Sequence, residues 1–282
     1  MTLRPTLAFA ATLVVILLGT ASVLAAPRYQ VDAPQRTPSS LFVIEQPPTP
    51  EPTPAPTLTP TSTSTASPPG QAPTGVVTFP MPVYRQLMNL DCETAALQMG
   101  LAALGHYYSQ NALFALQPQD PRGPVLDPSN RKRVISWGNP YTSFVGNVNG
   151  SDLGPTGYGI YYPVILSIAQ SHGAPSSTGG EAVSAAQVYA ALAQGHPVLA
   201  WVETGWENAR AAGYTGTWTS WPDTGARRIN YSLIEHVVAL SGVSATQVRV
   251  NDPWKSGSQY WFSKIEFERS WADFNNMAVV LQ

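Results

Sequence analysis

The chain has 282 residues and a formal net charge of −2, and charged residues make up only 11% of it. A net charge this small gives no electrostatic basis for binding nucleic acid or an anionic membrane surface. The charged fraction is well below the roughly 25% of ordinary soluble domains, because an apolar N-terminus and a long Pro/Thr tract carry almost no charge. About 200 residues remain beyond those segments, which is enough for one domain with a sizeable core.

Residues 1–26 have the pattern of an export signal. Arg4 provides a basic start, residues 7–18 form an apolar run, and Ala25 and Ala26 offer a small-residue cleavage site. An uncleaved anchor is the alternative, because the uncharged stretch is just long enough to span a hydrocarbon core of about 30 Å. In both interpretations we expect the rest of the chain to be exported, either extracellular or held at the cell surface.

A Pro/Thr-rich segment separates this N-terminus from the folded part. Ten of the 29 residues in the range 47–75 are proline, and most of the others are Thr or Ser. Such a composition has too little apolar surface to offset the entropy of ordering, so the segment is predicted to be a disordered linker. Residues 27–46 receive no assignment, and the folded domain is expected over residues 76–282.

Hydrophobic periodicity predicts the elements of this domain in chain order. The expected order is a helix over 92–104 that stops at Gly105, a loop-rich section over 117–160, helices over 162–171 and 184–194, strands over 198–203, 234–241, 247–251 and 259–262, a helix over 264–274 and a strand over 277–281. Helices followed by a strand-rich second half predict an α+β domain with an antiparallel sheet.

Cys92 is the only cysteine of the chain, and it stands where the first predicted helix begins. It cannot form an internal disulfide, which is the usual role of cysteine in exported domains. The positive end of the helix dipole favours the thiolate, the nucleophilic form of the side chain. The alternative is a small buried hydrophobic residue, but the acidic neighbours Asp91 and Glu93 argue against it. Cys92 is therefore the candidate nucleophile.

His236 is the candidate base, because it interrupts an apolar strand while the other three histidines adjoin glycines that end helices. A hairpin turn centred on Ser244 would place His236 opposite Asp252 on one face of the sheet. Directly opposed residues have Cβ atoms about 4.5–5.5 Å apart, so the carboxylate could orient and stabilise the imidazole. The alternative is that Asp252 and Pro253 merely end the strand.

This register makes two further predictions about the hairpin. The opposite face, which carries Val237 and Ala239, is expected to be half-exposed. The register pairs Leu240 with Val248 and Val238 with Val250.

Gln86 lies six residues before Cys92. Its amide N–H, together with the backbone N–H of Cys92, could stabilise an oxyanion that develops at the attacked carbonyl. The alternative for Gln86 is a solvated loop residue.

Several blocks of the sequence resemble a known group of enzymes. The run MPVYRQLMNLDCETAALQMGLAALG is similar to the nucleophile region of the bacteriocin-processing (double-glycine leader) cysteine peptidases, family 39, and of their stand-alone exported relatives. The blocks GHPVLAWVE, EHVVALSG, VRVNDPWKSGSQYWFSKIEFERSW and WGNPYTSFVGNVNG resemble the stand-alone group, so the likeness covers most of residues 79–282. It implies a papain-like cysteine peptidase fold in which Cys92 is the nucleophile, His236 the base, Asp252 the orienting residue and Gln86 part of the oxyanion hole.

Two features depart from the processing peptidases. Glu93 follows the nucleophile where those enzymes commonly have glycine, a feature that the stand-alone relatives share. The sequence as it stands contains no transporter membrane domain and no ATPase, so the removal of leader peptides, the known task of the processing enzymes, cannot simply be carried over to it.

These observations predict an exported cysteine peptidase that hydrolyses peptide bonds in a peptide or protein substrate and acts as a monomer. A cell-wall amidase or transpeptidase would use the same residues, and a non-catalytic surface module that binds peptides is the alternative outside enzymes. No cofactor and no metal are expected, because Asn149, Asp152 and Gly154 lack the spacing of a calcium loop and no His/Cys cluster can hold zinc.

Overall fold

The computed structural model describes residues 75–282. The predicted export signal or anchor, the unassigned segment and the Pro/Thr tract up to residue 74 lie outside the described residues. Residues 75–282 belong to one compact unit. Within the described part, no helix is long and apolar enough to cross a membrane. The domain boundary at residue 76 stays a prediction, next to a first strand that begins at Val77.

Residues 75–282 form five α-helices, two three-residue 3-10 helices and thirteen strands. The helices are α1 (Cys92–Ala103), α2 (Gln110–Phe114), α3 (Tyr162–Ser171), α4 (Ala185–Ala193) and α5 (Lys264–Ala272). The strands are β1 (Val77–Thr78), β2 (Gln119–Asp120), β3 (Val125–Leu126), β4 (Val134–Trp137), β5 (Phe144–Val145), β6 (Thr178–Gly180), β7 (Val198–Glu203), β8 (Thr215–Ser220), β9 (Arg228–Ser232), β10 (Glu235–Val243), β11 (Gln247–Asp252), β12 (Ser258–Ser263) and β13 (Ala278–Val280).

A seven-stranded sheet forms the centre of the domain. Its order is β12-β11-β10-β7-β13-β6, with β1 paired to β10 outside this path. All of these neighbours are antiparallel. A smaller sheet of order β3-β4-β8-β9 joins two strands of the predicted loop-rich section, 117–160, to two strands within 215–232, where no element was predicted. Its strands are short or polar, which explains why their periodicity gives no clear signal.

Helices cover both faces of the large sheet. Every residue of the neighbouring strands β7 and β10 is buried, as expected for strands between two helical layers. One face packs against α1 through a core that includes Leu97, Trp201 and Val237. The other face packs against α4 and α5 through a core that includes Leu192 and Trp271. Each large apolar side chain buried in this way contributes about 1.5–3 kcal/mol, which holds α1 firmly on the sheet.

Helix α1 is buried on nearly all sides, since ten of its twelve residues are buried. Gly100 allows this close packing, because a Cβ at that position would collide with the buried side chain of Leu281. Gly105, at a φ of 88°, lies just beyond the helix in the left-handed conformation that commonly follows a helix end. The predicted start at Cys92 and the predicted stop agree with the structure.

The β10–β11 hairpin has a different register from the one predicted. Leu240 pairs with Val250 instead of with Val248. The turn lies later than expected, with the backbone N–H of Ser244 donating to the carbonyl of Gln247 at 2.9 Å, and β10 contains a bulge. The predicted partner of Leu240 is therefore wrong by two residues along β11. Because side chains alternate with a period of two, each side chain still projects from the predicted face of the sheet.

The second prediction for the hairpin, a half-exposed face, is wrong. Val237 and Ala239 are completely buried. They belong to the core that includes Leu97 of α1. The alternation of apolar and polar residues along β11 indicated a solvent-facing surface, but the position of a covering helix is a tertiary property that strand periodicity does not contain.

Candidate active site

Cys92 is the first residue of α1 and lies on the wall of a cavity of about 380 Å³. The loop before it is held by hydrogen bonds: the N–H of Leu90 donates to the carbonyl of Val148 at 2.9 Å, and the N–H of Met88 donates to the carboxylate of Asp91 at 3.1 Å. The first N–H groups of a helix have no partner within the helix and carry its positive end. The helix start therefore presents free backbone donors beside the sulfur.

The cavity brings together three of the four candidate residues. It is lined by Gln86, Asn89, Leu90, Cys92, Ser151, Asp152, Leu153, Thr204, Glu207, Tyr214, Ile234, Glu235, His236 and Trp254. The fourth candidate, Asp252, is bound to His236. Two aromatic side chains, Tyr214 and Trp254, reach the cavity wall. Two others from residues 201–221, Trp201 and Trp218, are buried in the core.

His236 and Asp252 form a buried pair, with Nε2 of the imidazole 2.7 Å from Oδ1 of the carboxylate. Asp252 also accepts hydrogen bonds from the N–H of Trp254 at 2.9 Å and from the hydroxyl of Tyr260 at 2.8 Å. Burial acts to raise the pKa of Asp252, but the hydrogen bond and charge of His236 and these two other donors lower that pKa to about 2. The carboxylate is therefore ionised at neutral pH, and Nε2 donates to it. Nδ1 is left as the proton acceptor of the imidazole.

The pair forms although His236 and Asp252 are not directly opposed. Continuing the observed pairing of Ala239 with Asn251 places Asp252 opposite Val238, two residues from His236. Diagonal neighbours of this kind are about 7–8 Å apart in backbone position, within reach of two polar side chains. The predicted contact occurs because both residues share a face, whichever of the two registers the strands adopt.

The thiol of Cys92 contacts two carboxyl groups. Its Sγ lies 3.4 Å from Oε2 of Glu93 and 4.0 Å from Oε2 of Glu235. Both glutamates are buried, as is Cys92 itself. Among the hydrogen bonds of residues 75–282, none joins Sγ to His236, although both residues line the same cavity.

These surroundings favour the neutral forms of all three groups. Burial, together with the charges of Glu93 and Glu235, raises the pKa of the Cys92 thiol well above its usual value. Burial also raises the pKa of Glu93 to about 8, against the hydrogen bond that Ile160 donates to it. The pKa of Glu235 is raised by burial and by the neighbouring charges of Glu93 and Asp152. The desolvation of this cluster outweighs the effect of the helix dipole on the thiol.

Glu235 and His236 are consecutive residues of β10, so their side chains leave opposite faces of the sheet. Glu235 meets the start of α1, and His236 meets Asp252. Sequence reasoning missed Glu235, although the signal was present: it is an ionisable residue in an apolar strand, which is the same property that singled out His236.

Cys92, Glu93 and Glu235 also form the one group within residues 75–282 that could hold a metal ion, with one ligand atom from each lying within 4.8 Å of the others. Sequence reasoning did not find this group, because its members come from two distant segments.

Gln86 lies on the cavity wall, but its amide group binds its own loop. Nε2 donates to the carbonyls of Met88 at 3.1 Å and Asn89 at 2.7 Å. Oε1 is buried and has no hydrogen-bond partner among the described residues. Both amide hydrogens are thus engaged in this conformation, and the oxyanion role of Gln86 stays a prediction.

Asp152 brings another carboxyl group to the cavity. Burial raises its pKa to about 6, against a backbone hydrogen bond that Leu153 donates at 2.7 Å and against the charge of His236. The loop that carries Asp152 therefore contributes polar groups to the wall of the cavity.

Comparisons with known proteins identify relatives of this domain. A family model described as the Peptidase_C39 like family matches residues 79–279. No curated protein matches the chain. A solved structure from Bacillus anthracis, described as a C39-like peptidase, has a TM-score of 0.60 at 22% identity and covers 73% of this chain and 97% of its own. At this identity the likeness shows the fold.

Two further solved structures are more distant. A double-glycine motif protease from an AMS/PCAT transporter, in complex with the leader peptide, has a TM-score of 0.39 at 15% identity over 73% of this chain and 95% of its own. Xylellain, a cysteine protease from Xylella fastidiosa, has a TM-score of 0.37 at 12% identity over 75% of this chain and 87% of its own. Neither carries an argument about the site at these TM-scores.

Proposed function

Because the chain belongs to the Peptidase_C39 like family and has the α+β, papain-like fold of a cysteine-type peptidase, we propose that it is an exported peptidase in which Cys92, His236 and Asp252 act as a catalytic triad. One observation carries this proposal: an imidazole oriented by an ionised carboxylate shares a cavity with a thiol at a helix start. The predicted family and fold class are confirmed. The triad and export remain our proposal.

The reaction begins with transfer of the thiol proton to His236. Nδ1 is the acceptor, because Nε2 is committed to Asp252. Sγ then attacks the carbonyl carbon of a peptide bond, and the imidazolium gives its proton to the leaving amine. Water attacks the resulting thioester with His236 as general base, which releases the acid and regenerates the thiol. Asp252 stabilises the imidazolium in both halves of the reaction.

The oxyanion of each tetrahedral intermediate needs donors beside the sulfur. The backbone N–H of Cys92 is one candidate, since it belongs to the free first turn of α1. Gln86 is the second, and it would have to release the carbonyl of Met88 or Asn89 to serve the oxyanion. The 3.1 Å bond to Met88 is the longer of the two and is the one we expect to yield.

The size of the cavity defines the class of substrate. At about 380 Å³ it holds one or two side chains of an extended chain instead of a folded surface. We therefore propose that the substrate is an extended peptide or an unstructured segment of a protein. Export is proposed from residues 1–26, whose composition is that of a signal peptide or anchor.

The proposal is tested by digesting a peptide library with the wild-type protein, Cys92→Ala and His236→Ala, and identifying the products by mass spectrometry. Wild type is expected to cleave a subset of the peptides, and both variants are expected to leave them intact. His196→Ala is the matched histidine control, because this histidine does not line the cavity. Cleavage by Cys92→Ala at the wild-type rate would exclude the proposed nucleophile.

A non-catalytic peptide-binding module is the second candidate, and one observation favours it. The thiol contacts carboxyl groups and not the imidazole, and its pKa is high. In that case the library would be bound but never cleaved, and His236→Ala would leave binding unchanged.

A further inference from the structure

Glu93 and Glu235 approach the Cys92 sulfur from two directions, Glu93 from the next residue of α1 and Glu235 from strand β10. The backbone at Gly159 lies against them, because a Cβ at that position would collide with Oε1 of Glu93 and would crowd Oε2 of Glu235. Glycine therefore lets the chain approach this pair closely. The arrangement is built into the packing of α1 on the sheet and does not depend on a flexible surface side chain.

The pair has no compensating positive charge. Among the ion pairs of residues 75–282, none includes Glu93 or Glu235. Glu93 accepts a hydrogen bond from the N–H of Ile160 at 2.6 Å, whereas Oε1 of Glu235 is buried and has no partner among the described residues. Two buried carboxylates beside a thiolate would leave three negative charges without a cation, which is strongly unfavourable.

The other titratable groups around Glu235 do not supply that cation. They are Asp152 on the neighbouring loop, the buried phenols Tyr158 and Tyr161, Glu203 opposite Glu235 on β7, and His236 next to it in β10. Glu203 already binds Arg269, at 3.1 Å, and His236 binds Asp252. Within residues 75–282, no side chain supplies a cation to this cluster, so in the protein alone it is neutralised by protons.

We propose that Glu235 is a positioning residue that, together with Glu93, keeps the Cys92 sulfur as a neutral thiol in the resting protein. The proposal rests on the proposed function, because it takes Cys92 as the nucleophile. The thiol proton passes to Nδ1 of His236 only when a substrate occupies the cavity, and not in the empty enzyme. A neutral thiol also resists alkylation and oxidation, since the thiolate is the reactive form.

The pH dependence of alkylation tests this directly and needs no substrate. Cys92 is the only cysteine, so intact-protein mass spectrometry reports its reaction with iodoacetamide without interference from another thiol. The rate is measured from pH 5 to pH 11 for wild type, Glu235→Gln and Glu93→Gln. Glu266→Gln is the control, because this glutamate is exposed on α5 and lies outside the cavity.

In wild type we expect the rate to rise to its plateau only above the usual pKa of a cysteine. Glu235→Gln removes a carboxyl group that, once ionised at alkaline pH, opposes the thiolate, and it adds an amide that can donate to the sulfur. Its midpoint is expected to fall by at least about one pH unit, so the rate at a pH between the two midpoints rises about tenfold while the plateau stays the same. Glu93→Gln is expected to shift in the same direction, and Glu266→Gln to match wild type.

Three results would overturn the proposal. A wild-type midpoint below pH 7 would mean that the resting enzyme already holds a thiolate. A Glu235→Gln profile identical to that of wild type would mean that the carboxyl does not act on the sulfur. A higher plateau with an unchanged midpoint would mean that the substitution only opened access to the thiol. Circular dichroism identifies any variant that fails to fold, and Glu93→Gln then provides the second measurement. A failed library digest leaves this test intact, because alkylation measures the free protein.

Discussion

Two buried acidic sites lie on opposite faces of the large sheet, next to the consecutive residues Glu235 and His236 of β10. The pKa values of their carboxyl groups are shifted in opposite directions. On one face of the sheet Asp252 receives hydrogen bonds from His236, Trp254 and Tyr260, and its pKa is lowered to about 2. On the other face Glu93 and Glu235 converge on a sulfur without a cation, and the pKa of Glu93 is raised to about 8. Both sites are desolvated. The difference shows that the partners of a buried carboxyl, and not its burial alone, decide whether it is charged.

In the proposed mechanism the two sites have different roles. The Asp252 side holds a charge, which orients the imidazole of His236 as the general base. The Glu93–Glu235 side holds protons, and the Cys92 sulfur beside it stays a neutral thiol in the resting protein. The two sites meet at the cavity, where Glu235 and His236 both reach the wall.

The largest expected effect comes from Asp252→Asn. An amide cannot stabilise the imidazolium, and it allows the other tautomer of His236, so kcat for a cleaved peptide is expected to fall by about 10³–10⁴-fold. The measurement is steady-state kinetics on a substrate found by the library digest. A loss of less than about tenfold would show that the charged site is structural only.

Gln86 lies outside both acidic sites, and Gln86→Ala is expected to cause the second largest loss of kcat. Removing one donor to the oxyanion is expected to lower kcat by about 10²-fold with little change in KM. Asn89→Ala is the matched control, because Asn89 lines the same cavity and its amide donates to the carbonyl of Asn149 at 2.9 Å. Equal losses in the two variants would mean that Gln86 serves only to hold its loop.

Tyr260→Phe removes one of the three hydrogen-bond donors to Asp252. The hydroxyl bond is 2.8 Å long. We expect the pKa of Asp252 to rise and kcat to fall by about tenfold, corresponding to a hydrogen bond to a charged group of about 1.5 kcal/mol. The acidic limb of the pH–rate profile should move to higher pH. A profile that does not move would show that His236 and Trp254 alone keep the carboxylate ionised.

The two sites are expected to make the free energy of unfolding depend on pH in opposite directions. This effect is smaller than the expected effects on kcat. The pKa of Asp252 is lowered, so its contribution is present above about pH 4 and is lost as pH falls toward 2. The pKa of Glu93 is raised from 4.5 to about 8, so the folded protein retains a proton that the unfolded chain releases, and stability falls as pH rises from about 4.5 to 8.

The melting temperature Tm, measured as a function of pH, reports both the loss of stability toward pH 2 (the acidic limb) and the loss between about pH 4.5 and 8 (the neutral limb). Asp252→Asn is expected to flatten the acidic limb, whereas Glu93→Gln is expected to flatten the neutral limb and to raise Tm near pH 8 by about 2–4 °C for each kcal/mol recovered. Glu266→Gln should retain both limbs. A wild-type Tm that keeps rising from pH 5 to pH 8 would contradict the assignment of protons to the Glu93–Glu235 pair.

Much of the large sheet and its helices could be predicted from local pattern. Helix α3 and strand β7 have the predicted bounds, and α1 differs only at its last residue. The contact between His236 and Asp252 was also predictable, because period-two alternation puts both on one face and survives a two-residue error in register. The smaller sheet was missed, since strands such as β8 consist mostly of Thr, Gly and Ser and show no apolar alternation.

The start of α1 and the shared face of side chains on β10 and β11 follow from local sequence, because helix boundaries and strand alternation depend on neighbouring residues. The surroundings of the sulfur follow from the packing of distant segments. Glu235 is 143 residues from Cys92 along the chain, and the two meet because α1 packs on the sheet at the end of β10. The charge state of the Cys92 sulfur depends on that packing, since desolvation and the nearest charges are set by distance in space and not by distance along the chain.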